Sequence, residues 1–399
     1  MNKKKKIFLV AGEASGDALG GLIIRSLKAR FPDLDLEFIG VGGGKMKEAG
    51  MDVLYSNDVL SVMGFIEIIP QIPRIFAFMR KVIAKIEELK PDMILTIDSP
   101  GFNFRLIRRL REKSIFGFRP KIVHCIAPTV WAYNPERAYT VSKLYDHILL
   151  ALPFESRYFS HMPHTFIGHY IADDELDIEY SAKKRADVRD YLSLGAQDML
   201  MTVMPGSRKL EIKHHLCILC RAIQTLQKAH QDRKMAVFIP TIEPLKEHII
   251  AALKSLHFND VNYILSSDHI EKQNFIIASD VALVKSGTAV LEVMKATAPI
   301  IAFYKMSSIT AWILKKKLKV RHVTLPNILL EKEVIPELLQ ENFTVNNVLS
   351  HIQKCLFDKD IRDDQSKHFS LIRKMLKAQE DMKCPDIAAE AIINILYKN

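Results

Sequence analysis

Residues 7–27 read I-F-L-V-A-G-E-A-S-G-D-A-L-G-G-L-I-I-R-S-L and indicate which fold class the chain adopts. A short apolar run ends at Ala11, a turn with Gly12 and Gly16 follows, and apolar residues then recur with helical spacing as far as Leu27. Continuous apolar strands separated by helices are typical of a parallel sheet covered on both faces. This stretch therefore predicts the first strand–turn–helix unit of an α/β domain.

The same alternation continues along the chain and starts again after an acidic interval at 173–179. Further strands are predicted at 36–40, 92–98, 121–125, 147–151, 200–204, 235–239, 262–265, 281–284 and 299–303. We therefore predict two doubly wound, Rossmann-like α/β domains, one at 1–171 and the other at 172–359. Ligands of such sheets bind beyond the carboxyl ends of the strands, so the residues that follow each strand are the candidates for a site.

Composition restricts the class of protein. The chain has 399 residues, 48% of them hydrophobic, and a formal net charge of +10. A disordered or collagen-like chain is excluded, and the positive charge favours anionic partners such as nucleic acid, phosphorylated metabolites or an acidic membrane surface. Five irregularly spaced cysteines predict a reduced, cytoplasmic protein. We identify no signal peptide and no membrane span, so we expect any membrane contact to be peripheral.

Asp98 ends an otherwise apolar strand and is followed by Ser99 and Pro100. A carboxylate fixed at the end of a strand is well placed to act as a general base. The alternative is that Asp98 caps the helix that we expect to begin near Phe102.

Two loops of the second domain are suited to a phosphate. Pro205-Gly206-Ser207-Arg208 follows one strand and opens a helix, so that a guanidinium lies beside a helix N-terminus. Lys285-Ser286-Gly287-Thr288 follows another strand and precedes Glu292, which is placed to accept ribose hydroxyls. The alternative is two ordinary capped turns. The glycines of the first domain do not match the G-x-G-x-x-G dinucleotide fingerprint.

No metal site and no cofactor are predicted. The pair Asp33 and Asp35 precedes a strand, where we expect it to be solvated. The pairs His161/His164 and His214/His215 lack partners with zinc-ligand spacing.

One apolar segment, at 65–79, has no place in the predicted core. Basic residues lie close to it in the sequence, at Arg74, Arg80 and Lys81, and apolar tips with a basic rim are typical of a contact with a membrane surface. The alternative is packing against the other domain or a second copy in a homodimer. The residues outside the apolar helical stripe that starts at Ile72 are Phe65, Ile66, Ile68, Ile69 and Phe78.

Taken together, the motifs resemble those of the lipid-A-disaccharide synthase family, in the same order, from residue 7 to about 340. They are V-A-G-E-A-S-G-D (10–17), V-M-G-F-I-E (62–67), I-D-S-P-G-F-N (97–103), F-I-G-H (166–169), M-P-G-S-R (204–208), S-G-T-A-V-L-E (286–292) and L-P-N-I-L (325–329).

The resemblance implies a GT-B fold, in which two Rossmann-like domains enclose a cleft and C-terminal helices, here at about 360–399, return to the first domain. It implies a metal-independent, inverting glycosyltransferase peripherally bound to the cytoplasmic face of the inner membrane. Its substrates would be UDP-2,3-diacylglucosamine and 2,3-diacylglucosamine 1-phosphate (lipid X), and its products UDP and the β-1,6-linked lipid A disaccharide. Nucleic acid is not expected as a partner.

The resemblance also implies roles for individual residues, with Asp98 as the base. Residues 127–133 depart from the family pattern, and from that segment we retain only Trp131. The residues implied on the acceptor side are Gly12, Glu13, Ser15, Gly16, Asp17, Asn103 and Trp131. Those implied on the UDP side are Gly206, Ser207, Arg208, Ser286, Gly287, Thr288, Glu292 and Asn327.

Three other functions are alternatives. A UDP-sugar epimerase of the same fold is the main alternative, but it would need no lipid contact. A nicotinamide oxidoreductase would need the missing glycine fingerprint. A non-catalytic module recruited to membranes would have no use for Asp98 and two phosphate-type loops.

Overall fold

A computed structural model describes residues 4–60, 72–112, 119–173, 177–307, 311–312 and 320–398. The chain divides into two compact units. Unit 1 comprises residues 1–173 and 375–399, and unit 2 comprises residues 174–374.

Unit 1 is built on a parallel sheet whose inner strands are the continuous apolar runs of the sequence. Its strand order is β3-β2-β1-β4-β5-β6-β7, and both faces are covered by apolar side chains. The strands are β1 (Lys5–Ala11), β2 (Leu36–Gly42), β3 (Asp52–Ser56), β4 (Met93–Ile97), β5 (Lys121–Cys125), β6 (His147–Leu150) and β7 (His164–Phe166).

The helices of unit 1 connect these strands in the crossover manner that parallel pairing requires. They are α1 (Ala14–Arg30), α2 (Gly44–Glu48), α3 (Ile72–Leu89), α4 (Pro100–Glu112), α5 (Val130–Tyr133), α6 (Arg137–Ser142) and α7 (Ser156–Phe159). Helix α4 starts at Pro100, two residues earlier than predicted, because proline is well accommodated in the first turn of a helix.

Unit 2 repeats the architecture with the parallel order β10-β9-β8-β11-β12-β13. Its strands are β8 (Met199–Met204), β9 (Met235–Pro240), β10 (Asn262–Ser266), β11 (Val281–Lys285), β12 (Ile300–Tyr304) and β13 (Glu337–Leu339). Its helices are α8 (Ile178–Tyr191), α9 (Lys209–Ala229), α10 (Lys246–Ser255), α11 (His269–Ala278), α12 (Ala289–Lys295), α13 (Leu325–Leu330) and α14 (Val345–Phe357).

The chain returns to unit 1 at its C-terminal end. Helix α15 (Lys359–Leu376) belongs to unit 2 as far as Lys374, so the returning segment starts at 375 rather than near 360 as predicted. The last helix, α16 (Cys384–Tyr397), packs against α1. The Ser26 hydroxyl donates to the Asp386 carboxylate at 2.5 Å across this contact.

Each sheet reverses its strand order at one point. In unit 1, β1 pairs with β4, so the loop after Ala11 and the loop after Ile97 start side by side. In unit 2, β8 pairs with β11, so the loops after Met204 and Lys285 are neighbours as well. Such reversal points open a crevice at the carboxyl ends of the strands, where ligands of doubly wound sheets bind.

The prediction that Phe78 contacts a membrane is wrong. Phe78 is 8% exposed and packs edge-on against Tyr55, with ring centroids 5.7 Å apart, and against Phe102 at 5.9 Å. It lies four residues before Val82 and therefore shares the buried face of α3. None of the helices among the described residues combines the length and the apolar character needed to cross a membrane.

Candidate functional site

Asp98 is held in a strained turn directly after β4. Asp98 and Ser99 have φ values of +50° and +46°, and Ile126, which follows the adjacent strand β5, has φ of +70°. Such left-handed conformations are uncommon outside glycine and are unfavourable for a β-branched residue. The Asp98 N–H donates to the Cys125 carbonyl at 2.9 Å, which fixes the turn against β5. Backbone strain concentrated at one strand edge is a common mark of a functional site.

The Asp98 side chain is partly buried, and burial raises the pKa of its carboxyl above the ordinary value of 3.8. Hydrogen bonds from the Ser99 N–H and the Ser15 hydroxyl favour the ionised form and limit that rise. Ser15 lies in the first turn of α1, so the predicted glycine-rich loop does reach Asp98. A carboxylate that is partly desolvated but still hydrogen-bonded has the properties of a general base.

Gly12 lies against the Asp98 turn. A Cβ atom at Gly12 would come within 2.4 Å of the Ser99 Oγ and 2.7 Å of the Ser99 Cβ. Gly16 is less constrained, because its Cβ would meet the Ile97 carbonyl oxygen at 3.4 Å. Gly12 is therefore required for the close approach of the two loops.

Two residues that the resemblance implied for the acceptor serve the protein itself. Asp17 is 6% exposed, and its carboxylate accepts hydrogen bonds from the N–H groups of Gly43, Lys45 and Met46 at 2.7–3.2 Å. Asn103 is fully buried, and its amide donates to the Asp98 carbonyl at 2.7 Å. The predictions for both residues are corrected: they hold the loops in place and do not present a side chain to an acceptor.

Glu13 and Trp131 also lie at this edge of unit 1. Glu13 is the N-cap residue of α1 and is partly exposed. The Trp131 ring packs edge-on against Phe154 at 5.3 Å. Glu155 is a buried carboxylate near Trp131 that sequence reasoning missed. Burial raises its pKa to about 7, although hydrogen bonds from the Leu152 and Ala151 N–H groups oppose the rise.

In unit 2, the loop after β8 carries Gly206, Ser207 and Arg208 to the start of α9. Gly206 has φ of +130°, and a Cβ there would lie 2.5 Å from the Glu211 carboxylate. That carboxylate accepts from the Ser207 N–H at 3.0 Å and lies 3.6 Å from the Arg208 guanidinium. Sequence reasoning missed Glu211, although an acid three residues after the arginine, in the first turn of a helix, is a recognisable signal.

His215 is a second residue that sequence reasoning did not place in the site. It is fully buried on α9, with Nδ1 2.6 Å from the Pro205 carbonyl and Nε2 3.0 Å from the Lys305 N–H. Burial lowers the pKa of His215, which favours the neutral ring. We assign the proton to Nδ1, because Nε2 then accepts from Lys305. The ring thereby ties the loop after β8 to the end of β12.

The loop after β11 presents Ser286, Gly287 and Thr288. Gly287 and Thr288 are exposed, and Gly287 has φ of +152°. The Ser286 hydroxyl donates to the Val323 carbonyl at 3.3 Å. Glu292 is exposed on α12 and pairs with Lys272.

Asn327 does not reach a ligand, and its prediction is corrected. Asn327 is fully buried. Its Oδ1 accepts from the Val334 and Ile335 N–H groups at 2.8 and 2.9 Å, and its Nδ2 donates to the Ile335 carbonyl and the Glu337 carboxylate. These four hydrogen bonds saturate the amide, so Asn327 holds the loop between α13 and β13.

Within the described ranges, no cluster of three or more His, Cys, Asp and Glu side chains has the arrangement of a metal site. The apolar residues Phe65, Ile66, Ile68 and Ile69 lie outside the described residues.

The site residues thus fall into two groups with complementary chemistry. Unit 1 offers a carboxylate of raised pKa next to a glycine-rich turn. Unit 2 offers cations and backbone N–H groups at the end of β8, at the start of a 21-residue helix. The first group can remove a proton, and the second can bind an anion.

Comparisons with known proteins identify the family. The model of the family described as lipid-A-disaccharide synthetase matches residues 7–392. A lipid-A-disaccharide synthase from Rickettsia bellii is 38% identical over 365 residues, which cover 90% of this chain and 91% of that protein.

Solved structures show a GT-B-like fold. UDP-GlcNAc 2-epimerase from Neisseria meningitidis, bound to UDP-GlcNAc, aligns with a TM-score of 0.63 at 13% identity, covering 99% of this chain and all of that one. A glycosyltransferase from Rickettsia africae aligns with a TM-score of 0.55 at 14% identity, covering all of both chains. At such identities the likeness shows the fold alone. The match to an epimerase structure therefore does not favour the epimerase alternative. By sequence, the chain belongs to the lipid-A-disaccharide synthase family, UDP-sugar glycosyltransferases of lipid A biosynthesis.

Proposed function

We propose that the chain joins UDP-2,3-diacylglucosamine to lipid X, giving the β-1,6-linked disaccharide 1-phosphate and UDP, with inversion at the anomeric carbon. The observation that carries the proposal is Asp98, a carboxylate of raised pKa at the strand-order reversal of unit 1. Membership of the family supports the reaction class, and the local geometry supports the assignment of roles.

Asp98 is the proposed general base. Its carboxylate takes the proton from the acceptor's 6-hydroxyl while that oxygen attacks the anomeric carbon from the face opposite the diphosphate. The raised pKa makes the ionised group a stronger base than an exposed aspartate. An inverting transfer needs one carboxylate for this step, because the UDP group leaves without protonation by a second.

Arg208 is the proposed electrostatic partner of the leaving group. Negative charge grows on the diphosphate as the bond to the sugar breaks, and a fixed guanidinium beside a helix N-terminus stabilises it. Gly206 leaves the loop backbone close to α9, where a side chain would collide with Glu211. Gly287 and Thr288 of the neighbouring loop are proposed to contact the same nucleotide, with Glu292 at the ribose.

A product assay tests the proposal. The chain is incubated with UDP-2,3-diacylglucosamine, with and without lipid X, and the products are separated and examined by NMR. We expect a disaccharide with a β linkage only when lipid X is present. Epimerised UDP-sugar without lipid X would support the epimerase instead, and an α linkage would contradict inversion.

We also propose that unit 1 binds the cytoplasmic surface of the inner membrane. Helices α3 and α4 pack together. Besides Arg111, which pairs with Asp146, they present six exposed cations, and the Arg109 guanidinium lies 5.1 Å from the Phe76 ring centroid. A basic face attracts anionic lipid by about 1 kcal/mol per cation near the surface. The cations are Arg74, Arg80, Lys81, Arg105, Arg108 and Arg109.

Phe65 and Ile69 precede this basic face in the sequence and remain the proposed apolar contacts. Burial of each side chain in lipid would contribute about 1.5–3 kcal/mol to the free energy of membrane binding. We expect the double variant Phe65→Ser/Ile69→Ser to move from sedimenting phosphatidylglycerol vesicles to the supernatant. The control Ile178→Ser, at a residue of unit 2 that is 87% exposed, should not change sedimentation. Unchanged vesicle binding of the double variant would refute the apolar contact.

A further inference from the structure

Lys285 is the last residue of β11, and the function proposed above gives it no role. Its ammonium lies 3.5 Å from the Glu211 carboxylate and 5.7 Å from the centroid of the Tyr304 ring. The side chain is 22% exposed, so it is held by the protein yet open to solvent. A lysine in this position is neither a core residue nor a freely solvated one.

The Lys285 ammonium lies beside one of the two candidate nucleotide loops and is linked to the other through Glu211. A Cβ atom at Gly287 would lie 3.4 Å from the Lys285 Nζ, so the second loop runs alongside the ammonium. Through Glu211, the same ammonium is linked to the first loop, because Glu211 accepts from the Ser207 N–H at 3.0 Å.

Glu211 faces two cations. Its carboxylate, 7% exposed, lies 3.5 Å from the Lys285 ammonium and 3.6 Å from the Arg208 guanidinium. The start of α9 adds positive potential at the same place. The distance from Lys285 is long for a charge-assisted hydrogen bond, so Glu211 holds the ammonium near the two loops without binding it tightly.

We propose that Lys285 binds the diphosphate of the nucleotide together with Arg208, and that Glu211 is the counter-ion that keeps the two cations at the same place. A diphosphate carries more negative charge than a single guanidinium neutralises, and a second cation provides the missing charge. This inference rests on the proposed function, since it takes the ligand to be a nucleoside diphosphate.

Calorimetry with UDP tests the inference. We expect Lys285→Met to weaken UDP binding about 10- to 100-fold, the range for loss of one charge-assisted contact, and Lys285→Arg to retain most of the affinity. The matched control is Lys234→Met, since the Lys234 ammonium contacts the Ser193 carbonyl at the opposite edge of the same sheet. Circular dichroism of each variant checks the fold.

A second measurement uses the unaltered protein and so does not depend on how a variant folds. Lysines are labelled with a succinimidyl ester and quantified by mass spectrometry. We expect saturating UDP, but not uridine, to protect Lys285 and to leave Lys234 unchanged. If UDP binds but neither protects Lys285 nor binds more weakly to Lys285→Met, the inference is wrong while the proposed function stands. If the unaltered protein does not bind UDP, both are wrong.

Discussion

Replacing Gly12 by alanine tests whether the glycine-rich turn positions the proposed base. The new methyl group would lie 2.4 Å from the Ser99 Oγ and 2.7 Å from the Ser99 Cβ, which falls short of an ordinary 3.4 Å contact by 0.7–1.0 Å. Ser99 follows Asp98 directly, so a shift of that size moves the carboxylate. Displacement of a reacting group by 1 Å can cost about 10²-fold in rate.

We therefore expect Gly12→Ala to lower kcat by up to about 10²-fold while the Kd for UDP, whose proposed ligands lie in unit 2, stays unchanged. Overpacking of this kind also lowers the free energy of unfolding by about 1–3 kcal/mol. Steady-state kinetics, calorimetry with UDP and urea unfolding measure the three effects separately.

Gly101→Ala is the matched control. Gly101 lies in the first turn of α4, directly after the Asp98 turn, and among the described residues its Cβ would meet the Arg105 guanidinium alone, at 3.9 Å. The double variant Gly12→Ala/Ser99→Gly removes the group that collides with the new methyl and should recover activity. A folded Gly12→Ala enzyme with the kcat of the unaltered protein would refute the reasoning, as would a double variant no more active than Gly12→Ala.

Four further outcomes are expected. Asp98→Asn should reduce transfer about 10²- to 10⁴-fold without weakening UDP binding, and near-normal turnover would reassign the base, with Glu13 the next candidate. Arg208→Ala should weaken UDP binding about 10- to 150-fold by calorimetry, and an unchanged Kd would remove it from the site. Added EDTA should not change the rate, because Arg208 and Lys285 are proposed to meet the diphosphate charge; loss of activity that Mg²⁺ restores would contradict this. Burial raises the pKa of Glu155 from 4.5 to about 7, so the stability it contributes is fully present below about pH 4.5 and is lost as pH rises to about 7. The loss amounts to about 3 kcal/mol at 1.36 kcal/mol per pH unit. Glu155→Gln should flatten that part of the pH dependence of urea unfolding, and an unchanged slope would show that Glu155 does not cause it.

The inner strands could be predicted from the sequence because they are buried on both faces and read as unbroken apolar runs. Of the four strands at the sheet edges, β10 is predicted and the other three are not, for the opposite reason. β3 is half-exposed, and β7 and β13 have three residues each, so none has a run long enough to stand out. Their positions depend on pairing with a neighbour that is distant in the sequence.

Candidate site residues can be predicted from the sequence where they directly follow a strand. Asp98 and Gly206 are proposed on this ground, because all strands of a doubly wound sheet end at the same edge. Asp17 and Asn327 belong to other motifs of the same resemblance, but their side chains point to backbone groups of other segments. A motif does not reveal whether a polar side chain faces a ligand or the protein, since that depends on tertiary packing.

The strain at the end of β4 connects stability with the proposed chemistry. Asp98 and Ser99 both adopt left-handed conformations, which cost about 1–3 kcal/mol each, and burial further disfavours the ionised form of Asp98. Asn103 and the Cys125 carbonyl hold this arrangement by hydrogen bonds to the Asp98 backbone. A turn optimised for stability alone would carry glycine at 99 and an uncharged residue at 98. We therefore expect Ser99→Gly to raise the midpoint of thermal unfolding and Asp98→Asn not to lower it. A marked destabilisation by either substitution would show that the turn stores no strain.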